Sequence, residues 1–168
     1  MTTTTALQPD WPSYAGDFTL PGWLDDGFQC VVNAFEHREP LEPVPLPSRR
    51  YWTIGSTAHD CEQIVLAVQQ MFLGTADTPL GTTQCGGPRS VTFTIEVIRC
   101  TPTLNNRGQA PPGSSIETSS VNPVIDMEIL MDAAKCFDPF NTGVVVTIDV
   151  IPAGGGFHGV IATYTATL

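Results

Sequence analysis

The ten residues from Val91 to Cys100, V-T-F-T-I-E-V-I-R-C, alternate between apolar and polar side chains over most of their length. Because successive side chains of a strand point to opposite faces, Val91, Phe93, Ile95 and Val97 would share one face. The threonines and the glutamate between them would share the other. This period of two predicts a half-buried strand and a fold that is built on a sheet.

The rest of the chain divides into segments with their own periodicity. They predict a helix over 23–37, strands over 49–55, 61–73, 143–151 and 157–168, and a second helix over 115–137. The order helix, three strands, helix, two strands (α-β-β-β-α-β-β) predicts an α+β fold. We expect an antiparallel or mixed sheet of about five strands, with both helices packed on one face.

Two of these assignments leave alternatives open. The apolar residues of 61–73 also fit a helix, and we assign a strand because the segment matches 88–100 in length and would pair with it. In the second helix, Asn122 and Pro123 fit an N-cap followed by proline at the first helical position. Residues 115–121 would then be a separate turn or a segment joined by a kink.

The N-terminal residues 1–22 are rich in Thr, Pro and Gly, and they predict an extended arm ahead of a single domain over 23–168. Trp11, Tyr14 and Phe18 favour docking of this arm on a neighbour over a disordered tail, because aromatic residues are enriched at interfaces. Residues 39–48 hold four prolines and predict a stiff connector, with a proline-recognition ligand as the alternative.

Charge limits the partners that the chain can bind. The formal net charge is −10, and only 14% of the residues are charged. Non-specific binding to nucleic acid needs clustered Lys and Arg, and Arg49–Arg50 is the only basic pair. No apolar run approaches the roughly 20 residues of a membrane span, and no secretory signal begins the sequence, so we expect synthesis in the cytoplasm.

The reactive side chains form no recognisable catalytic, cofactor or metal motif. The five cysteines are widely spaced, which argues against a disulfide framework and favours reduced thiols, and no C-x-x-C pair suggests zinc. The densest group is H-D-C-E at 59–62, where His59 could activate Cys61 as a thiolate. Without a third group to orient the pair, we favour a structural role for Cys61.

Three segments carry a resemblance to a known family. They are 49–74, which contains A-H-D-C-E-Q, 86–102, which contains P-R-S ahead of a strand, and 144–163. The chain resembles the tail terminator proteins of siphophages that infect actinobacteria, in which A-H-D-C-E-Q and P-R-S before a strand recur. The similarity covers roughly 49–168 and leaves out the N-terminal arm and the proline connector.

This resemblance implies a structural protein of the virion, without a cofactor. Tail terminators of this type form a ring, usually a hexamer, on the last ring of the major tail tube protein. They stop tube growth and present a surface to the head-to-tail connector or stopper protein. Genomic DNA passes through the lumen without specific binding. The implied location is the head–tail interface of the virion, after synthesis in the host cytoplasm.

We expect contacts between subunits to come from the N-terminal arm and from the long loop at 74–87. The contact candidates are Trp11, Tyr14, Phe18, Thr75, Asp77, Leu80 and Thr82, and the lumen candidates are Glu62, Asp77 and Glu96. The nearest alternative is a head-to-tail stopper or adaptor or a minor tail protein. The more distant alternative is a small enzyme that uses Cys61 and His59.

Overall fold

The fold is that of a computed structural model, which describes residues 19–37, 44–75, 88–104, 107–138 and 143–168. The elements are α1 (Leu20–His37), β1 (Arg49–Ile54), β2 (Gln63–Leu73), β3 (Arg89–Cys100), α2 (Gly113–Asp132), a short 3₁₀ helix (Ala133–Phe137), β4 (Val144–Gly154) and β5 (Phe157–Thr167). The predicted α+β class and the predicted element order are confirmed.

The five strands form one mixed sheet in the order β1-β2-β3-β5-β4. Strands β1 and β2 are parallel, and every other neighbouring pair is antiparallel. Residues 63–73 are a strand that pairs with β3, as the matched lengths predicted. Strands β1 and β4 lie at the two edges, so each has one side that no described strand covers.

The two described helices cover the same face of the sheet, which we call the helix face. Its centre is an aromatic cluster of Trp23 from α1, Phe93 from β3, Phe137 from the 3₁₀ helix and Tyr164 from β5. Each buried side chain of this size contributes about 1.5–3 kcal/mol through removal of apolar surface from water. The same cluster explains why position 27 of α1 is a glycine, because a Cβ there would collide with the ring of Phe137.

On the opposite face, a short segment takes the place of helices. Residues 55–62, the crossover segment, carry the chain from the end of β1 back to the start of the parallel strand β2. Parallel connections commonly need about a dozen residues or more, and this one manages with eight because it runs extended across the sheet. Thr57 and His59 of this segment both contact Glu96 of β3.

Two predictions about helix starts were wrong. Helix α1 begins at Leu20, inside the predicted arm, and Asn122 is not an N-cap, because Pro123 lies within α2. Helix α2 begins at Gly113, two residues before the predicted start, so residues 115–121 are its first segment and not a separate turn. The residue before α2 is Pro112, whose carbonyl accepts hydrogen bonds from the backbone amides of Ser115 and Ile116. A proline inside a helix removes one backbone hydrogen bond, and packing of the buried residues beyond it, such as Ile125, keeps α2 continuous.

The expectation of reduced thiols was also wrong. Cys30 of α1 is bonded to Cys136 of the 3₁₀ helix, and Cys61 of the crossover segment is bonded to Cys100 of β3. The partners lie 106 and 39 residues apart in sequence. Wide spacing misled the prediction because the fold, and not the spacing, brings each pair together. Cys85 lies outside the described residues.

Candidate functional site

The predicted reactive pair of His59 and Cys61 does not form a nucleophile in this structure. Cys61 has no thiol, because its sulfur is bonded to Cys100. The Nε2 atom of His59 lies 3.0 Å from Glu96 Oε2, to which Thr57 also donates a hydrogen bond of 2.5 Å. The Cys61 and His59 side chains therefore hold the crossover segment on the sheet.

A polar cleft of about 360 Å³ lies where the end of β3 meets α2, and sequence reasoning missed it. Its main charged group is Arg99, which is buried and donates two hydrogen bonds to Asp126 of α2, of 3.0 and 2.7 Å. Arg99 also donates to the Pro45 carbonyl at 2.5 Å and lies 3.7 Å from Glu62. The guanidinium thus ties together the sheet, α2 and the segment ahead of β1.

Electrostatics in the cleft are set by burial. Burial raises the pKa of the Asp126 carboxyl above its ordinary value of 3.8, and the hydrogen bonds and charge of Arg99 offset part of that rise. A buried charge of this kind is tolerated only when it is paired and hydrogen-bonded. The sequence did contain a signal for it, because Arg99 continues the apolar series of Val91 to Val97 at a spacing of two and must therefore face the helices.

His158 lines the same cleft, and its contacts are with hydroxyl groups. Its Nδ1 lies 3.0 Å from Thr101 Oγ1, and its Nε2 lies 3.4 Å from Ser119 Oγ. A catalytic serine–histidine pair needs a third group, commonly a carboxylate, to orient the histidine, and here that place is taken by the Thr101 hydroxyl. The nearby Asp126 carboxylate is engaged by Arg99. The cleft therefore supports a structural polar cluster better than acyl transfer.

Among the surfaces that the structure describes, the outer edge of β4 is unusual. This strand is 11 residues long, its first eight residues are V-V-V-T-I-D-V-I, and Asp149 is its single charged residue. Val145 and Val150 are both exposed. Soluble proteins protect edge strands by shortening them or by adding charges and bulges, because an open edge is a template for another strand. Over the described residues, the β4 edge has only one charge, and its other protective features, Pro152 and a register irregularity between Ile151 and Gly154, come late in the strand.

The β1 edge is shorter and carries an apolar groove beside it. Trp52 and Ile54 of β1 point to the helix face and are 38% and 79% exposed. They line a groove of about 310 Å³ together with Met71 of β2 and residues of α1 such as Leu20. The basic pair at the start of β1 is anchored within the chain, by ion pairs to Asp60 and Glu36.

The structure places only some of the predicted contact and lumen residues. Thr75 is exposed just after β2. Glu62 is half-buried and accepts a hydrogen bond from the backbone amide of Cys100. Glu96 is 5% exposed beneath the crossover segment, so its carboxylate does not lie on the surface as a lumen residue must. The residues outside the described ranges are Trp11, Tyr14, Phe18, Asp77, Leu80 and Thr82.

Comparison of the chain with models of protein families and with curated proteins finds no match. Within the described ranges, no helix is long and apolar enough to cross a membrane. Nor do any three His, Cys, Asp or Glu side chains of those ranges lie together as metal ligands would.

Proposed function

We propose that this chain is a structural subunit of a ring at the head–tail interface of a phage tail, and that it acts as a tail terminator. The observation that carries the proposal is the pair of sheet edges on which no described strand pairs, above all the long and almost uncharged edge of β4. A subunit with such an edge is suited to assembly with another strand. The resemblance of 49–74, 86–102 and 144–163 to tail terminators indicates which assembly it joins.

The composition of the chain is consistent with this role. A ring whose lumen passes DNA must not hold the polyanion, and repulsion prevents adhesion. Six copies at −10 each carry a formal charge of −60. In this proposal the ring caps the last ring of the major tail tube protein and offers its other side to the head connector. Identical copies close such a ring through a heterologous contact, in which two different surfaces of each copy meet.

Electron microscopy of tails assembled without this protein tests the proposal. A terminator stops polymerisation of the tube, so its absence should give tubes far longer than normal. Supplying the protein from a second gene copy should restore the normal length. Tails of normal length that fail to join heads would contradict the terminator and favour the stopper or adaptor. Normal virions made without the protein would contradict a role in the tail altogether.

A further inference from the structure

We propose that copies of this chain join edge to edge, with the outer edge of β4 in one copy pairing antiparallel with the outer edge of β1 in the next. The five-stranded sheets would then form one continuous closed sheet around the ring. This inference rests on the proposed function because it assumes that the assembly is a closed ring. It names the two surfaces that meet, which the proposed function leaves open.

Strand direction is the first argument. Strands β1 and β2 are parallel, and β3 is antiparallel to β2. Strand β5 is antiparallel to β3, and β4 is antiparallel to β5, so β4 runs opposite to β1. Rotation about an axis that runs along the strands keeps every strand direction. The β4 edge of one copy therefore meets the β1 edge of its neighbour in the antiparallel sense, which is the more stable pairing.

Matching of the two faces is the second argument. In β4, Val144, Val146 and Ile148 belong to the helix face, because their partners in β5 lie in the core. In β1, Trp52 and Ile54 belong to the same face. Antiparallel partners point to the same face, so pairing these two edges joins the exposed apolar side chains of β1 to the apolar side chains of β4.

Charge fixes one register among those that the faces allow. The single charge of β4, Asp149, points away from the helices, as does Arg49 at the start of β1, whose side chain pairs with Asp60 on that face and stays 54% exposed. Placing Asp149 opposite Arg49 aligns all six residues of β1 with 144–149 of β4. That register also puts Trp52 opposite Val146 and Ile54 opposite Val144. An opposite-charge pair and two apolar pairs thus arise from one alignment.

The size of the resulting cylinder is consistent with a DNA channel. Neighbouring strands lie about 4.8 Å apart, so about thirty strands, five from each of six copies, give a circumference of about 144 Å and a diameter of about 46 Å. The helices would lie on one side of this cylinder and the crossover segments on the other. A cylinder of that width can accommodate a DNA duplex, whereas one made from two or three copies is too narrow.

A charge exchange between the two edges tests the pairing on the purified full-length chain. The variant Asp149→Arg brings two positive charges together at every contact, and Arg49→Asp brings two negative charges together. Each variant alone should need about tenfold more protein than the parent to assemble. An equimolar mixture should assemble like the parent, because every contact then pairs an acid with a base. Light scattering at low salt gives the mass, against 18.0 kDa for one copy.

Matched controls separate edge pairing from net charge. Glu117→Arg makes the same change of charge as Asp149→Arg on the exposed start of α2, outside the aligned residues of β1 and β4, and should leave assembly unchanged. Circular dichroism should show that all variants keep the fold of the parent. Assembly of Asp149→Arg at the concentration of the parent, or failure of the mixture to recover, would overturn the pairing. A dimer in which two β4 edges pair with each other would also overturn the proposed contact, and the mass of that dimer would not change with Arg49→Asp.

The outcomes remain distinct from those of the tail-length experiment. A purified chain that stays monomeric at every concentration would overturn the edge pairing, whatever the tails look like. Long tails in the absence of the protein, together with rings that ignore both charge variants, would support the terminator and reject this contact. Rings that respond to the charge exchange, together with normal tails, would reject the terminator and support the contact.

Discussion

On the helix face, the buried carboxylate of Asp126 is held by two hydrogen bonds from Arg99, and the Cys30–Cys136 disulfide joins two helical elements beside an aromatic cluster. On the opposite face, the buried carboxylate of Glu96 is held by one hydroxyl and one imidazole, both from the crossover segment. That segment is eight residues long and is fixed by the Cys61–Cys100 disulfide.

Each face thus has a buried carboxylate and a disulfide, but the elements that cover these groups differ in size. On the helix face, helices of 18 and 20 residues cover the carboxylate and the disulfide, so removal of either group exposes a large core. A single extended segment covers the carboxylate and the disulfide of the opposite face, so its loss should open only part of the sheet. Regions with few buried contacts unfold locally at lower free energy than the core does. The following changes test whether stability differs between the faces in this way.

Removal of the disulfides should produce the largest effect. In the chain-entropy model, loss of Cys30–Cys136 by Cys30→Ala with Cys136→Ala lowers the free energy of unfolding by about 4.7 kcal/mol. Loss of Cys61–Cys100 by the equivalent double variant lowers it by about 4 kcal/mol, because the closed loop is shorter. Urea unfolding measures both values. A larger loss for Cys61–Cys100 would contradict the ranking by loop length and would show that this bond does more than close a loop.

Arg99→Met should lower the free energy of unfolding by about 3–5 kcal/mol, because it leaves the Asp126 carboxylate buried without its partner. The matched control is Arg99→Met combined with Asp126→Leu, which removes both charges and should recover most of the loss. Urea unfolding again gives the values. A double variant no more stable than the single one would show that packing around Arg99, and not the charge, sets the cost.

The pH dependence of stability tests the same pair. Burial raises the pKa of Asp126 in the folded chain above the unfolded value of 3.8, so the folded state holds this proton more tightly. The stability that this proton contributes is complete below pH 3.8 and is lost as pH rises through the raised pKa. The unfolding free energy of the parent minus that of Asp126→Asn should therefore fall as pH rises from below 3.8 through the raised pKa of Asp126. A difference that grows with pH would mean that Arg99 outweighs burial.

Glu96→Gln should lower the free energy of unfolding by about 1.5 kcal/mol, because charged acceptors form stronger hydrogen bonds than neutral amides. The shape of the side chain is kept, so the crossover segment should stay in place. Glu36→Gln is the matched control, because Glu36 pairs with Arg50 at the exposed surface, where ion pairs contribute about 0–1 kcal/mol. Equal losses in the two variants would show that the crossover segment does not shield Glu96 from water.

Periodicity predicted the helix face far better than the opposite one. The alternation of Val91 to Val97 and the apolar spacing of both helices follow directly from burial against a core, and the structure agrees with them. The crossover segment has no such periodicity. It is held on the sheet by contacts of Thr57 and His59 with strand β3, almost forty residues further along the chain. Pro123 misled the helix boundary because tertiary packing outweighed a local preference. The alternation of β3 indicates which face Arg99 occupies, but nothing in the sequence pattern indicates that Asp126 is its partner.

The smallest expected effect concerns the hydroxyl groups on the face opposite the helices. Thr92 and Thr165 share a hydrogen bond of 3.0 Å between neighbouring strands, both half-buried. Thr92→Val should lower the free energy of unfolding by about 0.5 kcal/mol. Thr92→Val combined with Thr165→Val should lower it by about 0, since replacing both partners removes the unmet hydroxyl as well.

On the helix face, Tyr164→Phe removes the hydrogen bond to the buried Leu130 carbonyl and should lower the free energy of unfolding by about 1–2 kcal/mol. Urea unfolding of the three variants ranks them, and a Thr92→Val loss equal to that of Tyr164→Phe would show that water is excluded equally from both faces.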